Sequence, residues 1–174
     1  NRKTAYDLIS VYKPKLKWVN IDSLAPNALM KQLYMSLNYD LVKAEYTYGD
    51  SRIDFYMEKN GEKFLTEVKG CTLADDLHPG IGLFPDAPTE RGVKHLHELT
   101  KAAKEGCHTA IAFVIQMNGI HRVLPNEAAQ PEFKKALVEA AKAGVQIVCY
   151  SCHVEADRVK ITSVTEDTSS YVNM

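Results

Sequence analysis

The stretch that most constrains this chain is Ser51 to Lys69, SRIDFYMEKNGEKFLTEVK. Two runs rich in β-branched and aromatic residues, Arg52–Met57 and Phe64–Lys69, flank Asn60-Gly61. Asn-Gly is the pair that best supplies the two positive-φ positions of a type I′ turn, so the stretch reads as a β-hairpin. With Asn60 and Gly61 as the loop residues, Lys59 faces Glu62. Counting outward, Asp54 faces Glu67 and Arg52 faces Lys69. Period-2 alternation puts Lys69 on the same face as Glu67. Two carboxylates directly opposed on a sheet repel each other, and a cation between them removes the conflict. Oxygen ligands of this kind suit Mg²⁺ or Mn²⁺. A lysine beside them can orient a water or stabilise charge developing on a phosphate. The plainer reading is a charged, solvated hairpin face.

An acid on one strand followed by Glu-x-Lys on the next resembles the PD-(D/E)XK nuclease-like pattern. The resemblance extends along the chain. The segment Phe84-Pro85-Asp86-Ala87-Pro88-Thr89-Glu90-Arg91-Gly92-Val93-Lys94-His95 resembles the most distinctive motif of the sugar fermentation stimulation protein A family. Arg2-Lys3-Thr4, Trp18-Val19-Asn20, Pro26-Asn27, Tyr48-Gly49, Ser51-Arg52-Ile53-Asp54-Phe55, Glu67-Val68-Lys69 and Ala143-Gly144-Val145 fall in that family's order.

The resemblance implies a restriction-endonuclease-like α/β core in the order αβββαβ, a mixed sheet flanked by helices. It implies Mg²⁺-dependent phosphodiester hydrolysis, with Asp54, Glu67 and the carbonyl of Val68 holding the ion and Lys69 positioning or deprotonating the attacking water. Arg91 and His95, one helical turn apart on a shared face, are then a phosphate clamp, with His95 as a donor or proton carrier. The first helix of such folds often adds another acid. The family is expected to have a Glu near the position where this chain has Gln32, which can hold a bound water but brings no charge. The alternative within the family is a DNA-binding regulator of sugar (maltose) metabolism genes without turnover. A third reading is a small-molecule or anion-binding module using Arg91, His95 and the mobile loop before them. The implied partners are nucleic acid, DNA foremost, and a second copy of the chain as a homodimer.

The bulk properties bound these readings. A chain of 174 residues, 45% hydrophobic and 25% charged, is ordinary for a globular protein. No apolar run reaches the ~18 residues of a membrane span. The net charge of −1 shows no basic excess, so tight nucleic-acid binding would need a local basic rim or another domain. Cys71, Cys107, Cys149 and Cys152 are irregularly spaced, which points to a reducing, cytoplasmic setting. Cys149-Tyr150-Ser151-Cys152-His153 matches a haem-attachment spacing. In a strand, however, i and i+3 face opposite ways, which suits neither a haem nor a disulfide.

The expected organisation follows. The resemblance implies that residues 1–22 are the remnant and linker of an N-terminal OB-like region and 23–165 the nuclease-like domain; 166–174 read as a flexible tail. Asn27 caps a first helix. Residues 41–48 form a strand, with Glu45 facing solvent. Residues 71–90 form a long mobile connection over the site. Helix two runs from about Thr89 to Glu105, and Gly92 within it signals a close approach. Residues 109–117 form a central strand buried on both faces, with Gln116 as its polar exception. Helix three opens at Pro131, residues 145–151 form the last core strand, and VKITSV an edge strand.

Overall fold

Asn60 and Gly61 both adopt positive φ, 51° and 81°, and the hairpin they close sets the register of the central sheet. Strands β4 (Ser51–Lys59) and β5 (Glu62–Cys71) pair antiparallel from Lys59↔Glu62 to Phe55↔Thr66. That is the register the turn dictates. The computed structural model describes residues 7–174; the Arg2-Lys3-Thr4 motif therefore lies outside the described residues.

In chain order the elements are β1 (Ser10–Lys13), β2 (Lys17–Asn20), α1 (Ala25–Ser36), β3 (Leu41–Tyr48), β4, β5, β6 (Leu73–Ala74), β7 (Ile81–Phe84), α2 (Glu90–Lys104), β8 (His108–Ile115), β9 (Arg122–Pro125), α3 (Pro131–Lys142), β10 (Gln146–Val154), β11 (Val159–Glu166) and α4 (Thr168–Val172). The main sheet has six strands in the order β11-β10-β8-β5-β4-β3. It is mixed: β5, β8 and β10 run parallel, and the outer pairings are antiparallel.

Both faces of the sheet are covered. Along β8, Ile111, Phe113 and Ile115 pack into the core under α2 and α3, with Leu96, Leu99, Phe133 and Leu137. Ala112 and Val114 join the core under α1, with Met30, Tyr34 and Phe55. This alternation explains why residues 110–115 read as an uninterrupted apolar run. Cys149 lies in the first core and Cys152 in the second, on opposite faces as strand geometry requires.

Several expectations need correction. Helix α1 begins at Ala25, with Pro26 in its first turn and Leu24 at the cap. A proline fits there because its missing N–H would have no intrahelical partner. Asn27 is therefore inside the helix and its side chain is free for another role. The 71–90 connection is partly ordered into β6 and β7, which form a three-stranded sheet with β9. Strands of two and four residues between glycines and prolines are too short for periodicity to reveal. The close approach at Gly92 is made by side chains: a Cβ there would lie 2.7 Å from Thr89 Cγ2 and 3.5 Å from Phe133, so it serves the α2 cap and the contact with α3.

The end of the chain is not a flexible tail. β11 continues to Glu166 and α4 follows, with Tyr171 fully buried and its hydroxyl donating to the carbonyl of Val123. One aromatic anchor in a polar segment is a weak sequence signal, yet its burial fixes the segment. Deleting residues 168–174 should therefore lower unfolding stability by on the order of 3 kcal/mol, the scale for removing a buried aromatic side chain. Urea unfolding would read this as a lower midpoint. An unchanged midpoint would mean that α4 contributes nothing to the core.

Candidate functional site

Strand β5 lies inside the sheet, between β4 and β8, so its inward side chains are buried whatever their polarity. Glu67 is one of them, 2% exposed, and the surrounding chain supplies its partners. Glu67 Oε1 accepts from Lys69 Nζ at 2.8 Å and from Nδ1 of His95 on α2. Glu67 Oε2 lies 3.4 Å from the backbone N–H of Asp54. The β4–β5 ladder ends at Phe55↔Thr66, one pair short of Asp54 and Glu67. Beyond it the Asp54 carboxylate takes over as acceptor. Its Oδ2 binds the Val68 N–H at 2.8 Å, and its Oδ1 binds Asn27 Nδ2 at 2.9 Å. On its other side, Glu45 of β3 adopts φ 54°, and the β3–β4 register passes from Ala44↔Phe55 to Tyr46↔Ile53. Asp54 thus sits where pairing loosens on both sides.

Asn27, Asp54, Glu67, Val68 and Lys69 line a cleft of about 440 Å³ that also includes Gly70, Arg91 and Gln116. Gly70 has no room for a side chain: a Cβ would lie 2.4 Å from Gln116 Oε1 and 2.9 Å from Pro26 Cγ. Gln116 is buried and holds the wall in place, its Nε2 donating to Asn20 Oδ1 at 2.7 Å and to the Asp22 carbonyl at 3.0 Å. A larger groove of about 740 Å³ runs beside the β1–β2 turn. Its Lys13, Lys15 and Asp76 are exposed, and Lys15 pairs with Asp76 at 3.7 Å. The smaller cleft is the better candidate because buried charges converge on it.

The structure brings Asp54, Glu67, Val68, Lys69 and Arg91 together, as the sequence led us to expect. His95 belongs to the cluster but lies behind it. It is 4% exposed, its Nδ1 meets Glu67, and its Nε2 accepts from Arg91 Nε at 3.4 Å. With both nitrogens engaged inside the protein, it is not the direct phosphate donor expected. Gln32 is exposed on α1 and is not among the cleft residues; the helix presents Asn27 instead. Glu45 stays outside, paired with exposed Arg52. The sequence reading missed Asn27 and Gln116 as site residues, since both act through how distant segments pack.

The two carboxylates differ electrostatically. Burial, and then the charge of Glu67, push the Asp54 pKa above its ordinary value; the Val68 N–H, Asn27 and Lys69 only partly offset this. For Glu67, burial again works upward, but the bonds and charges of His95 and Lys69 outweigh it and hold the pKa below its ordinary value. Asp54 therefore carries a poorly compensated charge, with neutral donors on both oxygens. That is a suitable setting for a hard cation. Among the described residues no group of three or more His, Cys, Asp or Glu side chains is disposed to hold a metal. An ion here would draw on the two carboxylates and a main-chain carbonyl such as that of Val68, with water completing its shell, an arrangement that Mg²⁺ accepts.

Residues 21–158 match the family model described as the sugar fermentation stimulation protein RE domain. A sugar fermentation stimulation protein homolog of Clostridium botulinum (strain Hall) is 42% identical over 170 residues, 94% of this chain and 72% of that protein. Its counterpart in Desulfitobacterium hafniense (strain Y51) is 43% identical over 165 residues, 92% of this chain and 70% of the relative. The fold is similar to that of Pyrococcus furiosus SfsA, solved in complex with Ca²⁺, with a TM-score of 0.80 at 24% identity over 94% of this chain and 72% of that one. No helix among the described residues is long and apolar enough to cross a membrane.

The opposite shifts of the two acids predict opposite effects of neutralising them. A carboxyl whose folded pKa is raised binds more protons folded than unfolded, so its ionisation lowers stability as pH rises. Asp54→Asn should raise the melting temperature of the metal-free protein at pH 7, and the gain should vanish below the ordinary Asp value of 3.8. Glu67, with its lowered pKa, contributes stability that is present above its ordinary value of 4.5 and lost as pH falls through the folded pKa. Glu67→Gln should therefore lower the melting temperature at pH 7. Thermal melts across pH would check both signs; equal shifts of the same sign would refute this electrostatic account.

Proposed function

The chain belongs to the sugar fermentation stimulation protein family, and from that premise and the cleft geometry we propose that it is a metal-dependent phosphodiesterase acting on nucleic acid, DNA foremost, built on a PD-(D/E)XK nuclease-like core. The observation that carries the reading is the convergence of Asp54 and Glu67 from neighbouring strands on one cleft, with Lys69 against Glu67. The chain order of α1, β3–β5, α2, β8, α3 and β10 is the order such a core requires. Asp54, Glu67 and the carbonyl of Val68 would hold Mg²⁺ or Mn²⁺. When bound, the ion supplies Lewis acidity and charge neutralisation at a phosphodiester. The related Pyrococcus furiosus protein carries Ca²⁺, a cation of the same hard, oxygen-seeking class.

The protein's own groups divide the remaining work. Asn27 and the Val68 N–H hold Asp54 in one orientation. Lys69 keeps a positive charge at the cleft, 2.8 Å from Glu67, where it can orient an attacking water and favour negative charge forming on phosphate. Arg91 is exposed at the rim and engages His95 through Nε; its terminal nitrogens have no partner among the described residues and can donate to phosphate oxygens. A second reading, DNA binding without turnover, is favoured by one observation: the cleft-facing side chain from α1 is neutral Asn27, so no third acid comes from that helix.

Titrating Mn²⁺ and Mg²⁺ calorimetrically into the wild-type protein and into Glu67→Ala tests the proposal first. Binding in the wild type and its loss in the variant are expected; a wild-type protein that takes up neither ion would rule out metal catalysis here. On labelled oligonucleotides, Lys69→Ala should slow cleavage by roughly 10²–10⁴-fold, the usual contribution of a group acting in proton transfer, while metal binding persists. Oligonucleotide binding with metal bound but no cleavage of single- or double-stranded DNA or RNA would favour the regulator.

A further inference from the structure

The buried histidine behind the cleft has a role that neither its residue type nor its place on α2 announces. Of the two Glu67 oxygens, Oε1 is fully occupied, receiving Lys69 Nζ and His95 Nδ1. Among the described residues Oε2, on the Asp54 side, has only a long contact to the Asp54 N–H at 3.4 Å. The carboxylate is thus divided into a committed oxygen and an available one. We propose that His95 is a positioning residue: it donates from Nδ1 to Oε1 and so turns Oε2 of Glu67 toward the cleft as a cation ligand. This rests on the metal-site reading above and adds to it the device that presents one of the ligands.

The tautomer this requires is set by a third residue. Arg91 lies four residues before His95, so the two side chains stack along one face of α2. A guanidinium only donates hydrogen bonds, and Arg91 Nε approaches His95 Nε2 at 3.4 Å. Nε2 must then be the acceptor and Nδ1 the nitrogen that carries the proton. The order Arg91, His95, Glu67 runs from the rim of the cleft to its floor, each donating to the next. Burial adds force to the arrangement. At 4% exposure His95 has little access to water as a substitute partner, and a buried donor left without an acceptor is costly. Partners that orient metal-binding carboxylates and imidazoles typically govern metal affinity as strongly as their position suggests.

Two variants separate positioning from mere filling of space. Asn carries an N–H on the atom that takes the place of Nδ1; Gln carries it one bond farther out, where Nε2 lies. Mn²⁺ affinity would be measured by calorimetry on wild type, His95→Asn and His95→Gln, after circular dichroism has verified folding. His95→Asn is expected to stay close to wild type and His95→Gln to bind about 10–100-fold more weakly. Long-range ¹H–¹⁵N spectra of the metal-free wild-type protein supply a readout that needs neither metal nor variant, and should show His95 protonated on Nδ1 alone. Protonation on Nε2, or equal Mn²⁺ affinity in the two folded variants, overturns the proposal. A wild-type protein that binds no divalent ion removes the metal-site reading and the positioning role with it. Nδ1 protonation together with equal affinities overturns the positioning role alone and leaves the metal site standing.

Discussion

Glu67 is the constraint on which the rest of this structure depends. An ionised carboxylate on an interior strand is tolerable only if charged or strongly polar partners reach it. Two segments do so. Lys69 comes from the same strand, two residues on, and His95 comes from α2. The helix must therefore cross the sheet so that His95 faces β5 while Leu96 and Leu99 still enter the apolar core. The fixed end of α2, with the Thr89 hydroxyl accepting from the Gly92 N–H at 3.0 Å, keeps that placement. Gly92 lets the first turn pass close to Phe133 of α3. The packing of α2 is thus as much a requirement of the acid as of the core.

Asp54 shows the opposite economy. Its neighbours are neutral, its pKa is raised by burial and by the charge of Glu67, and the strand pairing loosens on both sides of it. A site tuned only for stability would not leave a carboxylate in this condition. Such local conflict, held in place by well-packed surroundings, is what a binding centre commonly shows. The surroundings are indeed well determined. Gln116 ties the end of β8 to Asn20 and Asp22, and the absence of a side chain at Gly70 lets that amide and Pro26 close against β5.

How much of this was legible in the sequence depended on whether the controlling interaction was local. The Asn60-Gly61 turn fixes its register through two backbone angles, so the approach of Asp54, Glu67 and Lys69 could be counted from the turn outward. The alternating burial of β8 and the bounds of α2 and α3 likewise follow from short-range patterns. Asn27 was misread because a cap preference is local while its bond to Asp54 spans distant segments. His95 was placed on the right face of α2 with Arg91, but a helical wheel cannot say which way that face turns. The aromatic anchor Tyr171 and the short strands β6, β7 and β9 carry almost no periodic signal, and their order comes from tertiary packing alone.

The same distinction bears on Gln32. Reading the first helix by analogy places an acid-equivalent there, and its neutral side chain would count against a strongly charged site. In the structure the helix presents Asn27 there, which is also neutral but touches Asp54 directly. A neutral donor at that point does something an acid could not: it stabilises the ionised Asp54 instead of repelling it. With a third carboxylate the cleft would gain charge and lose this bond, and the metal-free fold would bear more repulsion between buried anions. Two carboxylates with an amide donor make a cluster whose repulsion the fold tolerates and whose oxygens suit the cation proposed above. On this view the neutral residue on α1 is part of how the site is built, and its lack of charge bears on turnover, not on whether two oxygen ligands are presented to a cation.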